Sequence, residues 1–419
     1  MEEHQVIVVG GGPAGSSCAI FLGKNGIKTL LVDKAAFPRD KTCGDGITGK
    51  SAGILEELGI EKEITKGQHM KLNGLITSSP SGAVIDSNPF GEPLPEPFYV
   101  CKRQIFDNIL FEEAKKNADV MENFTVTGLV MENGKVAGVK GLDKSGAEKE
   151  FRADVVVGAD GANSVVARKL GLNNFETDRS LVSVRAYYEN VSDTADHLEF
   201  HFLEELLPGY FWIFPAGNNV SNVGLAVIAG DVPKRKLNLK TSLEDIVNNS
   251  RFAPRFKNAT QVSEIRGWNL PTGAQKRRRA GDGFVLVGDA ASLIDPFTGE
   301  GIGNALLSGK LAAETISNAA GKKDFSYAAL KGYEAKIQEC MGKEFEANYN
   351  FQKFGRNPLM FNALVEELSV DARYMKMATS AFYDTTHKAA NFRIPLSLYI
   401  KVFVRYLKSY VRTKLRPKR

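Results

Sequence analysis

The sequence predicts an α/β fold: a discontinuous parallel-sheet domain, an inserted antiparallel β-sheet, and a C-terminal helical region. Three observations predict it. A buried strand runs through a glycine turn into a helix at the start of the chain. Two further apolar strands, far downstream, each end in glycine and a carboxylate. Between and after them, runs of strand-like residues give way near Tyr327 to helical periodicity.

Bulk composition bounds the answer. The chain has 419 residues, 43% hydrophobic and 25% charged, an ordinary globular balance that at this length argues for two or three packed domains. A net charge of +5 is too small to point to nucleic acid. Cys18, Cys43, Cys101 and Cys340 have no C-x-x-C spacing, which makes neither a disulfide framework nor a metal site. A reducing cytoplasm is the compartment expected. No signal-like segment precedes Val6, and no apolar run is long enough to span a bilayer. Attachment to the inner face of the membrane stays open.

Val6-Ile7-Val8-Val9 reads as a strand buried on both faces. It runs into Gly10-Gly11-Gly12-Pro13-Ala14-Gly15 and then a helical pattern through Leu22, closed by Gly26. Lys28 to Val32 forms a second strand ending at Asp33. Gly10 permits the tight turn, Gly12 lets the backbone approach a pyrophosphate, and Gly15 lets helix and strand pack closely. The helix N-terminus offers free N–H groups and a positive dipole end to phosphates. Asp33, eighteen positions after Gly15, stands where a carboxylate can accept from an adenosine ribose. The fingerprint by itself does not separate FAD from NAD.

Asp154 to Val157 is a buried strand ending in Gly158-Ala159-Asp160-Gly161, and Gly283 to Val287 ends in Gly288-Asp289. Each sets a carboxylate at the edge where open α/β sheets bind ligands. The second leads into Asp295-Pro296-Phe297-Thr298-Gly299-Glu300-Gly301-Ile302, a glycine-rich turn whose N–H groups suit a flavin pyrimidine edge. Together these motifs resemble the three signatures of glutathione-reductase-type FAD enzymes. Their order is similar to that in the branch holding aromatic hydroxylases, flavin halogenases and geranylgeranyl reductases. The resemblance spans most of the first 320 residues. It implies a Rossmann-type FAD-binding domain, with Asp289 on the ribityl chain, Asp160 lining the cofactor site, and Arg103 contacting FAD from a helix start. The full cofactor set it implies is Gly10, Gly12, Pro13, Ala14, Gly15, Asp33, Lys34, Arg39, Cys43, Gly44, Arg103, Asp160, Gly161, Gly288, Asp289, Pro296, Gly299, Gly301 and Ile302.

The three motifs make the FAD-binding domain discontinuous, over residues 1–70, 98–175 and 262–326. The substrate-binding antiparallel sheet takes residues 71–97 and 176–261. Its expected strands are Lys71 to Ser78, Ala83 to Ser87, Leu181 to Glu189, Leu198 to Leu203, Tyr210 to Pro215 and Asn222 to Ile228. A hairpin is expected from Gly128 to Lys140, turning at Asn133-Gly134. Residues 327–419 form the helical region, interrupted near Asn357-Pro358.

Leu207-Pro208-Gly209-Tyr210-Phe211-Trp212-Ile213-Phe214-Pro215 resembles the P-G-Y-x-W-x-F-P segment of geranylgeranyl reductases, whose aromatics line a lipid pocket. Alternation puts Tyr210, Trp212 and Phe214 on one face, suited either to an apolar substrate or to core packing. Cys43-Gly44-Asp45-Gly46-Ile47 resembles the C-G-(D/E)-G-I turn of the same enzymes, whose cysteine lies near the flavin. Beside Lys41 and a glycine turn, that thiol is either activated or a small packing residue. Cys43, Tyr210 and Trp212 are therefore the candidate catalytic residues. Tyr210, Trp212 and Phe214 are the candidate substrate contacts. His4, His69, His197, His201 and His387 suggest neither metal nor base, and Lys276-Arg277-Arg278-Arg279 reads as a solvated charge run.

No acidic residue follows Asp384. Lys401, Arg405, Lys408 and Arg412, spaced by four, three and four, mark an amphipathic basic helix. It suits an anionic membrane surface or the body of the protein, with its basic face in water. The reading as a whole is reduction of carbon–carbon double bonds in an isoprenoid or other lipid chain by hydride from flavin N5. NAD(P)H or ferredoxin would be the electron donor. The alternative is a flavin-dependent monooxygenase or halogenase acting on an aromatic.

Overall fold

The computed structural model describes residues 4–67, 69–88, 98–383 and 395–415. His387, part of the 71–97 segment and the last four residues lie outside them. The parallel sheet runs in the order Phe284–Leu286, Glu148–Gly158, His4–Val9, Thr29–Val32 and Asp119–Met121, with Ala280–Gly281 antiparallel at one edge. Val6 to Val9 are central and solvent-free, as a β-branched run covered on both faces requires. Helix Pro13–Lys24 opens on Pro13, whose missing N–H costs nothing there. It packs on helix Ile302–Lys322, where a Cβ at Gly309 would stand 2.4 Å from the Ala14 carbonyl oxygen.

The hairpin forms from Thr125–Glu132 and Lys135–Leu142, turning at Asn133 (φ 48°) and Gly134 (φ 80°). Two positive φ values are what a two-residue turn between twisted strands demands.

The antiparallel sheet is ordered Thr260–Gln261, Leu181–Glu189, Val220–Ile228, Tyr210–Pro215, His197–His201, Gly74–Ser78 and Val84–Asp86, with one exception to its expected sense: His197–His201 and Gly74–Ser78 run parallel. Strand Arg266–Leu270 also pairs with Leu181–Glu189. The sheet therefore runs past residue 261, where the sequence places its end; Arg266 to Leu270 carries too little apolar patterning to read as a strand. The expected strand Lys71 to Ser78 divides at Asn73. Met70–Leu72 joins Gly46–Ile47 and Phe98–Val100 in a small separate sheet, and only Gly74–Ser78 enters the large one.

Alternation sorts the aromatic strand as expected. Phe211 and Ile213 pack under helix Leu239–Asn249, while Tyr210, Trp212 and Phe214 face the parallel-sheet domain. In the helical region, Asn357 caps helix Pro358–Val370 by accepting from the N–H groups of Leu359 and Met360.

Two expectations about charge need correction. Arg277 and Arg279 are half-buried and donate to the carbonyls of Ala290 and Ala291, closing the short turn after Gly288. They are not a solvated run; orphan carbonyls at a turn end need donors. In helix Leu396–Leu415, Leu398 and Val402 bury against the body. Lys401 pairs with Asp371 at 3.1 Å, and Arg405 with Glu366 and Glu367 at 3.1 and 2.7 Å. The outward face mixes apolar and basic residues: Tyr399, Ile400, Phe403, Val404, Leu407, Tyr410 and Val411 are exposed, Leu396 is 75% exposed, and Lys408 and Arg412 are exposed among them.

Candidate active site

A cavity of about 800 Å³ lies between the carboxyl ends of the parallel strands and the inner face of the antiparallel sheet. Ligand sites commonly span about 300–1,000 Å³. All but two of the sequence-derived cofactor residues line it, as do Tyr210, Trp212 and Phe214. The exceptions are Gly15 and Pro296. Gly15 lies under the turn, where a Cβ would meet the Gly10 carbonyl oxygen at 1.8 Å. Pro296 turns away, its carbonyl accepting from Gln352 Nε2, which corrects its assignment as a cofactor contact.

The glycine turn is constrained on every side. Gly10 has φ 106°, and a Cβ there would stand 2.5 Å from the Ala159 carbonyl oxygen. Gly12 is the N-cap of its helix and has no side chain to cap it, so the first N–H groups face the cavity. The nearest atom to a Gly12 Cβ is the Arg39 guanidinium, 3.6 Å away. Asp33 accepts from the Gly11 and Ala35 N–H groups at 2.7 and 2.8 Å, so it also fastens the turn. Asp160 accepts from Ser164 Oγ and from the Val165 and Val166 N–H groups. Burial raises its pKa against those bonds.

Arg103 opens helix Arg103–Lys115 but is not a surface residue: it is 4% exposed. Its guanidinium forks onto fully buried Asp107 at 2.6 and 2.7 Å, and Arg39 adds a third bond at 2.8 Å. Burial opposes the Arg103 charge, but Asp107 and the adjacent Cys43 thiol hold its pKa above the ordinary value. Burial likewise opposes the Asp107 charge, and the two arginines outweigh it, so the Asp107 pKa is lowered. Lys41 has other partners. Its ammonium sits 3.7 Å from Asp289 and over the Trp268 ring.

The aromatic residues belong to the cavity wall and to the core at once. Tyr210 donates to the Thr298 carbonyl of the glycine-rich turn, and burial pushes its phenol well up. That hydrogen bond ties the aromatic wall to the glycine-rich turn. Trp212 Nε1 donates to Asn222 Oδ1 at 3.0 Å, and Asn222 Nδ2 donates to the Cys43 carbonyl at 2.7 Å and Asp45 Oδ2 at 2.8 Å. Phe214 covers Gly44, where a Cβ would be 3.1 Å from its ring. Asn222, Asp45, Tyr187 and Asp107 are absent from the sequence-derived set. Asp45 lies inside a motif read there, but burial, the property that distinguishes it, has no local signature. Among the described residues, no group of three or more His, Cys, Asp or Glu could hold a metal.

The family described as FAD binding domain matches residues 3–316. A digeranylgeranylglycerophospholipid reductase of Methanoculleus marisnigri is 32% identical over 363 residues, 84% of this chain and 86% of that protein. The chain belongs to the geranylgeranyl reductase family of FAD-dependent oxidoreductases. A solved structure from Thermoplasma acidophilum, described as geranylgeranyl bacteriochlorophyll reductase-like, matches this FAD-dependent reductase with a TM-score of 0.80. Its identity is 28%, covering 94% of this chain and 100% of that one. A flavin-dependent brominase matches at a TM-score of 0.71 and 21% identity, over 98% of this chain and 100% of that one. That likeness concerns the fold alone.

The residues present fit FAD. The side-chain-free helix N-terminus at Gly12, with Arg39 beside it, is a cradle that a larger residue would fill. A second set of backbone groups, at Gly299 and Gly301, faces the same cavity.

Proposed function

We propose that this FAD-dependent reductase saturates carbon–carbon double bonds in the isoprenoid chain of a lipid. The observation that carries the reading is the change of character along the cavity. Glycine turns, Arg39, Arg103 and Asp289 line it from the parallel-sheet domain, and Leu198, Phe200, Tyr210, Trp212 and Phe214 line it from the strands of the other sheet. An apolar chain with few polar handles needs an aromatic wall and excluded water. Reduced FAD, when bound, supplies hydride from N5. In this reading Gly10, Gly12, Pro13 and Ala14 hold the pyrophosphate, Asp33 the ribose, Asp289 the ribityl chain, and Gly299, Gly301 and Ile302 the pyrimidine edge. Lys34, Arg39, Arg103, Asp160, Gly161 and Gly288 complete the wall, and Cys43 and Gly44 meet the ring. NAD(P)H or ferredoxin supplies the electrons.

Anaerobic turnover tests the reaction. Protein loaded with dithionite-reduced FAD is expected to saturate a geranylgeranyl glycerophospholipid, read by mass spectrometry. Oxygen-dependent hydroxylation or halogenation of an aromatic, without that saturation, would overturn the reading.

The same proposal places the protein at the cytoplasmic face of a membrane, docked through helix Leu396–Leu415. The exposed apolar stripe, rather than the paired lysine and arginine, would enter the lipid. Ile400→Asp combined with Phe403→Asp and Leu407→Asp should lower liposome co-sedimentation roughly tenfold or more. Unchanged sedimentation would remove the docking helix.

A further inference from the structure

Adding hydrogen across a double bond requires a proton as well as a hydride, and the chain must hold that proton next to the substrate. Most acidic groups lining the cavity are already engaged. Asp33 and Asp160 accept backbone N–H groups, Asp289 faces Lys41, Asp40 pairs with Arg185, and Glu300 accepts from Thr48. Tyr210 donates its hydroxyl hydrogen bond to the Thr298 carbonyl. Asp45 differs. It lines the cavity and is fully buried, and its backbone stands at φ 66°, a left-handed conformation that only surrounding structure sustains in aspartate. The Cys101 N–H pins its carbonyl at 3.0 Å.

Two donors converge on one carboxyl oxygen: Tyr187 Oη at 2.5 Å and Asn222 Nδ2 at 2.8 Å, both on Oδ2. Oδ1 is buried and makes no hydrogen bond to the described residues. A buried carboxyl oxygen without a hydrogen bond is uncommon in a packed protein and calls for an explanation. Asn222 ties the same carboxyl to Trp212 and to the Cys43 carbonyl, so Asp45 is fixed relative to the aromatic wall.

We infer that Asp45 is the proton donor of the reduction, holding the transferable proton on Oδ1, with Tyr187 and Asn222 as its positioning residues. The inference rests on the reductase reading. The hydride and its electron pair leave reduced flavin for one alkene carbon. The π electrons take the Asp45 proton on the neighbouring carbon, the O–H bond breaks, and the flavin is left oxidised. Asp45 is left as a carboxylate, held by Tyr187 and Asn222, and regains its proton from water.

The charges facing Asp45 set when it is ready. Burial raises its pKa to about 6; the bonds from Tyr187 and Asn222 and the fields of Arg185 and Arg103 act against that rise. Cys101 also faces it from the strand above. A donor is most effective when its pKa lies near the working pH. Tyr187 is half-buried, flanked by the Arg185 guanidinium at 4.4 Å and the Lys102 ammonium at 5.0 Å from its ring centroid.

The test compares FAD-loaded wild type with Asp45→Asn, Asp45→Glu and Tyr187→Phe in anaerobic single turnovers of reduced enzyme with a geranylgeranyl glycerophospholipid. Asp45→Asn should bind FAD as wild type does but oxidise the flavin roughly 100-fold more slowly, with Asp45→Glu recovering part of the loss. The wild-type rate should fall as pH rises through about 6, and Tyr187→Phe, which removes a bond to the charged form, should move that fall upward. Independently of turnover, the infrared carboxyl band of the apoprotein should contain one component titrating near pH 6 that Asp45→Asn lacks. Asp45→Asn turning over at the wild-type rate with the wild-type pH profile would overturn the assignment alone. Wild type that leaves the lipid unreduced would instead overturn the reductase reading and take this assignment with it.

Discussion

Gly15→Ala is expected to leave the protein unable to retain FAD and to destabilise it by about 3 kcal/mol. The new methyl would sit 1.8 Å from the Gly10 carbonyl oxygen and 3.1 Å from Ala159 Cβ. Neither neighbour can yield. Gly10 is itself held at φ 106° against the Ala159 carbonyl, and Ala159 donates its N–H to Val9 at 2.8 Å. Relief requires helix Pro13–Lys24 to move off the sheet, which takes the phosphate-facing N–H groups with it. Gly53→Ala is the matched control. Gly53 is in helix Ala52–Leu58 with nothing within 4 Å of the point where a methyl would sit, so alanine there should be neutral or stabilise by up to ~1 kcal/mol. Flavin absorbance per chain after gel filtration, with urea midpoints of the apoproteins, reads both. Stoichiometric FAD in Gly15→Ala would show that the close packing under the turn is dispensable.

Arg103→Ala should cost about 3–5 kcal/mol at neutral pH, because it leaves a fully buried carboxylate with one partner instead of two. The pH dependence identifies the cause. The folded pKa of Asp107 is depressed, so its stabilisation is fully present above the unfolded value of about 3.9 and is lost as pH falls through the folded pKa. In the variant the carboxyl would take up a proton more readily on acidification, so the deficit should shrink as pH falls toward about 4. Urea denaturation of both proteins across that range measures the gap. A deficit that stays constant with pH would assign the loss to packing, not to the unpaired charge.

Much of the site was legible because its chemistry demands particular backbone conformations. A pyrophosphate cradle requires glycine where the chain must turn or touch, and glycine is visible in a sequence. Strand ends bearing Asp160 and Asp289 follow from β-branched runs with a carboxylate just beyond them. Tyr210, Trp212 and Phe214 could be put on one face because strand geometry alternates strictly. Pro296 and the solvated reading of Arg277 and Arg279 failed for a common reason. Each lies in a turn whose orientation depends on which distant carbonyl or donor is adjacent.

The sequence by itself determined the strand–glycine turn–helix unit of a dinucleotide-binding domain and the one-sided aromatic strand, since each arises from short-range rules of turn, strand and helix; FAD was what its resemblance to a family implied. Tertiary structure alone decided that Arg103 and Asp107 form a buried pair beside Cys43, that the terminal helix turns apolar side chains outward, and that Asp45 stands desolvated against the cavity. Asp45 meets Tyr187 and Asn222 across 142 and 177 residues of chain. Burial and the choice of partner are properties of the packed molecule, and no local pattern contains them.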